Sequence, residues 1–354
     1  MQYDMLRLFF TIVVAFLVAY ASTPIVKILA AKIGAIDVPK DDRRMHKMPI
    51  PRLGGVAIFY GFIVAILCFC EIDRSIQGIL IGSVIIVAVG VLDDVIQLKA
   101  IYKLLGQILA AGAVVFHGVT IEYFTNPNFL SPETYIPLGV WAIPITIMWI
   151  VGVTNAVNLI DGLDGLAVGV SSISSASLFS ISLITKETNI SILTAAVAGA
   201  GFGFMPYNMF PATIFMGDTG AMFLGFILSC VSILGLFKGY AVISFAIPFL
   251  ILGLPIFDTG FAIIRRLYRG KSPMAPDRGH LHHRLIDMGF NQKQTVTILC
   301  IASGLLSLSA VVLMISGAFR AMILIAAVIL LTGVGFNLFN NTIEEEVEEN
   351  NELQ

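Results

Sequence analysis

Four polar residues recur at every third position in the stretch NAVNLIDGLDGLA: Asn155, Asn158, Asp161 and Asp164. On an unbroken α-helix each step of three lags by about 60°, so the four would fan over half the surface. Gly162 and Gly165 instead predict a break after Asn158, with Asp161 and Asp164 on a turn that re-enters the next helix. Two carboxylates and an amide oxygen at such a break suit a hard cation, Mg²⁺ or Mn²⁺. Capping of the next helix by one Asp is the simpler reading. It accounts for one carboxylate, and not for two together with two asparagines.

Four further clusters carry side chains with chemistry to offer. Asp93 and Asp94 close the apolar run that ends in VLDD. Neighbouring helical residues point about 100° apart, and two carboxylates beside lipid are costly without a cation or a basic partner. Lys99 and Lys103 are near enough in sequence to be partners, and Lys103 is equally suited to hold a phosphate as a point charge. Asp218, in FMGDTG, opens another apolar run, as an N-cap or as part of a helix start that attracts anions and their metal complexes. Phe215 offers a flat face for a ring, although an aromatic at a membrane interface needs no ligand to explain it.

GHLHHRL supplies His280, His282, His283 and Arg284. The spacing is not a usual zinc arrangement and no cysteine is near. The cluster reads as donors to a phosphate-rich substrate, or as a cationic loop lying against anionic lipid. Asp258 stands seven residues before Arg265, on the same helical face, and is expected to pair on that arginine's side. His117 is given no role.

Apolar helices must carry these clusters. Of the 354 residues, 57% are apolar and 12% charged, against roughly a quarter charged in soluble domains. Eleven runs approach the bilayer-spanning length of about 20 residues: 5–26, 53–71, 76–92, 102–120, 138–156, 166–185, 190–206, 219–237, 240–264, 295–316 and 321–340. The expected fold is an all-α, polytopic integral membrane bundle of about 11 helices, one domain over 1–340. An acidic, disordered tail over 341–354 holds six glutamates. Ala19–Ala21 fit a small-residue cleavage pattern, but a single Arg7, offset by Asp4, precedes the first run, so an uncleaved first helix is expected. Cys68, Cys70, Cys230 and Cys300 all fall in apolar runs and read as small buried hydrophobes.

Sixteen of the 21 Lys and Arg residues follow odd-numbered runs; Arg7, Arg74, Lys186, Lys238 and Arg320 lie on the other face. Short basic loops stay in the cytoplasm, so the amino terminus is expected outside and the carboxyl terminus inside. The polar clusters obey the same parity, because RRMHKMPIPRLGG, VLDDVIQLKAIYK, NAVNLIDGLDGLA, FMGDTG and GHLHHRL follow the first, third, fifth, seventh and ninth runs. All five therefore face one compartment and are able to converge. A cation, a cationic rim and a bilayer together suit a diphosphate substrate and a lipid.

NAVNLIDGLDGLA, LDD at Leu92–Asp94, PRLGG at Pro51–Gly55, FMGDTG and HLHHR together resemble the polyprenyl-phosphate N-acetylhexosamine-1-phosphate transferases, the glycosyltransferase 4 family. The likeness covers about residues 1–340 and is greatest to the branch using UDP-N-acetylglucosamine and undecaprenyl phosphate. The muramoyl-pentapeptide branch has three consecutive histidines, whereas Leu281 interrupts them here, and Arg52-Leu53 replaces its Thr-Met. The resemblance implies Asn158 and Asp218 as magnesium ligands, Lys103 against the lipid phosphate, and Asp93 and Asp94 as a required acidic pair. It implies Asp161, with Asp164 beside it, on the nucleotide side of the site, Phe215 stacked on uracil, and His282, His283 and Arg284 on the sugar diphosphate. The implied reaction yields undecaprenyl-diphospho-GlcNAc and UMP at the cytoplasmic face of the cell membrane, as the first membrane step of a glycopolymer such as wall teichoic acid. No nucleic acid is implied, and a homodimer is compatible with it.

Two rival classes match parts of this pattern. An intramembrane prenyltransferase would bind prenyl diphosphate through a motif that NLIDGLD half imitates, but it would lack the histidine–arginine loop. A transporter would show repeated halves or broken helices at the membrane midplane, and no internal repeat is visible.

Overall fold

The computed structural model describes residues 2–39, 48–125, 135–236, 246–270, 272 and 279–316, with 320, 322, 325 and 326 as isolated points. Among the described residues the chain is all-α apart from two short antiparallel ribbons. Helices α1 (Gln2–Ile33), α2 (Gly55–Phe69), α3 (Arg74–Ile96), α4 (Ala100–Phe116), α5 (Ala142–Leu159), α6 (Leu166–Thr185), α7 (Thr188–Asn208) and α8 (Gly217–Leu236) follow in order. They are succeeded by α9 (Ala246–Ile251), α10 (Gly253–Tyr268), α11 (Leu281–Asp287) and α12 (Gln292–Ser316). Strands β1 (Ile36–Asp37) and β2 (Ile50–Pro51) pair with Ile36 opposite Pro51, and β3 (Tyr123–Thr125) pairs with β4 (Tyr135–Pro137).

Among the described residues seven helices are long and apolar enough to cross a membrane, and α2 and α4 are shorter apolar helices. This is a polytopic helical membrane fold, the form in which every backbone polar group is satisfied within its own segment. Ten of the eleven expected runs coincide with helices, while 321–340 and the tail 341–354 fall almost wholly outside the described residues. The first run is longer than hydropathy suggested. α1 continues to Ile33 and carries Lys27 and Lys32, both expected in a loop.

The ninth run is divided at Leu252 into α9 and α10. The cause is Pro255, which has no N–H to offer the carbonyl of Ile251. That carbonyl accepts instead from the Ser174 hydroxyl on α6, at 2.9 Å. A neighbouring hydroxyl thus replaces the lost backbone donor inside an apolar bundle.

α8 is the central helix, with 83% of its spanning window buried, and it packs between α3 and α5 with α2 alongside. Close approach depends on missing side chains. Gly55 at the start of α2 lies against the backbone of Thr219 and Gly220, where a methyl group would overlap Gly220. Of the four cysteines, only Cys230 is fully buried; Cys68 is exposed, and Cys70 and Cys300 are half-buried, which corrects the expectation of four interior thiols.

Candidate functional site

The predicted break is present. α5 ends at Leu159, residues 160–165 form turns, and Gly165 at φ +81° starts α6. A left-handed residue is needed there, and glycine takes that conformation without strain. Neither aspartate caps α6, because the N-cap position is Gly165 and carries no side-chain bond. Asp164 reaches the next loop instead, where its Oδ2 accepts from the Ala212 N–H at 2.9 Å. Asn155 stands apart from this turn. It exchanges carboxamide hydrogen bonds with Gln107 of α4, at 2.7 and 3.2 Å, and serves as an α4–α5 clasp.

The loop after α7 is held by a residue the sequence reading missed. Asn208, buried at the end of α7, accepts from the Gly165 N–H at 3.2 Å and donates to the Ile214 carbonyl at 3.1 Å. The following stretch is zipped to the segment after β2. The Phe215 N–H donates to the Pro51 carbonyl at 2.8 Å, and Gly54 and Gly55 donate to the carbonyls of Phe215 and Met216 at 2.9 and 2.8 Å. Phe215 and Arg52 are thereby paired neighbours just ahead of Asp218.

Asp93 and Asp94 diverge to different partners, as their angular separation predicts. Asp93 accepts from the Leu98 N–H at 2.7 Å and from Lys103 Nζ at 3.1 Å. Asp94, 2% exposed, crosses to α8. Its Oδ1 accepts from the Asp218 N–H at 3.0 Å, and its Oδ2 accepts from the Thr219 N–H at 3.1 Å and the Thr219 hydroxyl at 2.6 Å. The cap expected of Asp218 is therefore supplied by Asp94 from another helix, which satisfies the orphan donors of the first turn. Asp218 is left free to meet Lys103 Nζ at 2.6 Å. Lys103 bridges Asp93 and Asp218, while Lys99, the other lysine expected near the pair, is exposed. The Asn158 carboxamide lies beside the Asp218 carboxylate.

A cavity of about 880 Å³ opens over this cluster. Its lining includes Asp94, Asp161, Asp164, Asp218, Phe215 and His283. Asp93, Asn158 and Lys103 are not among the lining residues; Lys103 and Asn158 adjoin the site through Asp218, and Asp93 through Lys103. Burial, reinforced by the neighbouring Asp218, Asp94 and Asp164, pushes the Asp161 carboxyl up to about 8. Like charges crowd this carboxyl with no hydrogen-bond donor assigned to it among the described residues, the environment in which a cation is most favoured. The donors suit Mg²⁺ in a particular way. Among the described residues no three His, Cys, Asp or Glu side chains converge as an all-protein cage. Asp218 and Asn158 offer one carboxylate and one amide oxygen, the small protein share that Mg²⁺ takes when waters and substrate phosphates complete its shell. The Lys103 ammonium, between two carboxylates, already marks a position stabilised for positive charge.

The histidine segment is divided by its helix. Asp258 of α10, 5% exposed, accepts from the Leu281 N–H at 2.8 Å and pairs with His280 Nδ1 at 2.9 Å. Asp258 thus anchors the start of α11, and its partner is His280 rather than the arginine expected. His282 is buried beneath Gly162, with burial and then His283 holding its imidazole down to about 4. His283, its ring 4.2 Å from that of His282, lines the cavity. Arg284 is exposed and is not among the lining residues. Of the three residues expected on the sugar diphosphate, His283 alone lines the cavity.

Residues 76–236 match the family model described as glycosyl transferase family 4. The chain is 41% identical over 310 residues to a probable undecaprenyl-phosphate N-acetylglucosaminyl 1-phosphate transferase of Bacillus subtilis, covering 87% of this chain and 86% of the relative. It is 30% identical to a decaprenyl-phosphate N-acetylglucosaminephosphotransferase of Mycolicibacterium smegmatis, over 84% of this chain and 79% of the relative. A phospho-N-acetylmuramoyl-pentapeptide-transferase of Clostridium beijerinckii is 29% identical over 74% of this chain and 82% of its own length.

Proposed function

Because the chain belongs to glycosyl transferase family 4, we propose that it transfers N-acetylglucosamine 1-phosphate from UDP-N-acetylglucosamine to undecaprenyl phosphate and releases UMP. The observation that carries this reading is one cavity in which the Phe215 ring, the Asp161–Asp164 turn and Asp218 share a lining at the end of membrane helices. Those groups suit a nucleotide diphosphate delivered from water to a lipid acceptor.

In the proposed step an oxygen of the lipid phosphate attacks the β-phosphorus of the donor. A new P–O bond forms, the bond from the β-phosphorus to the bridging oxygen breaks, and UMP leaves with that electron pair. A phosphate monoester has a second pKa of about 6, so the nucleophile needs no strong general base. The barrier is mutual repulsion of anions, which fixed positive charge relieves. Lys103, tied between Asp93 and Asp218, supplies one such charge. Asp94 fixes the start of α8 and so the direction of Asp218. Asn158 and Asp218 are the residues that would hold Mg²⁺, which when bound supplies charge neutralisation for the diphosphate.

We read the chain as an eleven-span protein of the cell membrane, with the amino terminus outside and both the site and the tail at the cytoplasmic face. The product begins a cell-envelope glycopolymer, wall teichoic acid in our reading. The test is UMP release by purified protein with undecaprenyl phosphate and Mg²⁺, comparing UDP-GlcNAc with UDP-MurNAc-pentapeptide. Turnover with UDP-GlcNAc alone is expected, and turnover only with the pentapeptide donor overturns the reading. Asp218→Asn should lower the rate by about 100-fold or more, the scale of a lost electrostatic contact to the reacting phosphate, while the protein remains monodisperse on size exclusion.

A further inference from the structure

Arg52 lines the same cavity as Asp94, Asp161, Asp164 and Asp218, yet it forms no ion pair with any of them. The reason is a backbone tether. Its Nε and Nη2 both donate to the main-chain carbonyl of Asp94, at 3.1 and 3.0 Å. That fork occupies one edge of the guanidinium and leaves the Nη1 donors, with the remaining Nη2 proton, without a partner among the described residues. The main chain is fixed as well, since the Arg52 N–H donates to the Ala35 carbonyl at 2.9 Å and the residue pairs with Phe215. A guanidinium is costly to immobilise, and five planar donors match phosphate oxygens better than they match a lone carbonyl.

We propose that Arg52 is a donor-binding residue whose open guanidinium edge hydrogen-bonds the diphosphate of the nucleotide sugar. The proposal rests on the nucleotide-sugar reading of the cavity given above. Three features favour the donor over the lipid phosphate, which offers the same oxygen chemistry. Arg52 is the backbone neighbour of Phe215, the ring proposed to stack on the base. It lines the open cavity, whereas Lys103, the cation assigned to the lipid phosphate, does not. The Asp94 tether also fixes Arg52 to the helix end whose side chain caps α8, so donor contact and the direction of Asp218 share one support.

The experiment uses the full chain, purified in detergent, as wild type, Arg52→Gln and Arg52→Lys. Measured are the KM for UDP-GlcNAc, the KM for undecaprenyl phosphate, and competitive inhibition by uridine, which keeps the base and lacks phosphate. Arg52→Gln is expected to raise the donor KM by about tenfold or more, the effect of losing a charge-assisted hydrogen bond. The uridine inhibition constant and the lipid KM should stay within about twofold, since neither ligand meets the open edge. Arg52→Lys, which keeps the charge and loses the fork, should fall between. An equal loss of uridine binding would assign Arg52 a purely structural role and overturn the proposal. So would an unchanged donor KM, or a rise confined to the lipid KM. Failure of the wild type to use UDP-GlcNAc would strike the function itself, a result separable from any effect of Arg52.

Discussion

Asp94 caps, from α3, the first turn of the helix on which Asp218 stands: its two carboxylate oxygens take the N–H groups of Asp218 and Thr219 and the Thr219 hydroxyl, at 2.6–3.1 Å. The two carboxylates therefore differ in kind. Asp94 is spent on protein, and Asp218 faces outward to Lys103 and the cavity.

Asp94→Asn retains one acceptor and turns an –NH₂ toward a helix N-terminus that already presents donors. Breaking a buried, charge-assisted network of this type costs about 1–3 kcal/mol. We expect turnover to fall together with the apparent Tm, measured by thermal scanning of the detergent-solubilised protein. A variant with full Tm and lost activity would mean that Asp94 acts on substrate.

Asp161→Asn should behave in the opposite way. Burial, then Asp218, Asp94 and Asp164, hold this carboxyl up at about 8, so near pH 7 the folded chain must take up a proton there that the unfolded chain does not bind, and a neutral amide escapes that cost. Turnover is expected to drop while the apparent Tm holds or rises. A lowered Tm would show that Asp161 is a structural anchor.

His282 gives a pH dependence with a defined sign. Its imidazole stands at about 4 in the folded chain, against an ordinary 6.5, so the unfolded chain binds the extra proton between those values. Stability is fully present above about 6.5 and is lost as pH falls toward 4. His282→Gln should lose less apparent Tm than wild type between pH 6.5 and 4.5, in parallel scans. Identical pH slopes in the two proteins would sink the assignment.

Ser174→Ala removes the hydroxyl that satisfies the Ile251 carbonyl opposite Pro255. An unpaired buried carbonyl costs about 1–3 kcal/mol. A lower apparent Tm with an unchanged KM for either substrate is expected, because the kink lies away from the cavity lining. An unchanged Tm would mean that the carbonyl finds another donor.

What was legible in the sequence was whatever the chain states locally. The break after Asn158 was foreseeable because Gly162 and Gly165 interrupt an apolar run, and Pro255 announces the division of the ninth run by the same logic, although hydropathy alone merged the two halves. What was hidden depends on partners far apart in sequence. Asp218 looked like its own helix cap, and only the fold brings Asp94, 124 residues away, to take that task. Asp258 was matched to the nearest arginine on its helical face, whereas the bundle offers it His280 and the α11 start. Asn208 gave no signal, since one carboxamide at a helix end is ordinary until both its neighbours are known. His282 and Arg284 were grouped with His283 by adjacency, and a single helical turn sends the three in different directions.

The contact of Gly55 with the Gly220 backbone has a consequence for engineering. Two main chains meet there with nothing between them, so the distance from the β2 segment to the start of α8 is set by atoms that mutation cannot trim. Directed evolution toward bulkier donors should collect its successful changes in 210–213 and 215–216, which line the cavity, and even Gly55→Ala should be absent from the survivors. The spacing of those two main chains is fixed, and only the side chains that line the cavity are adjustable.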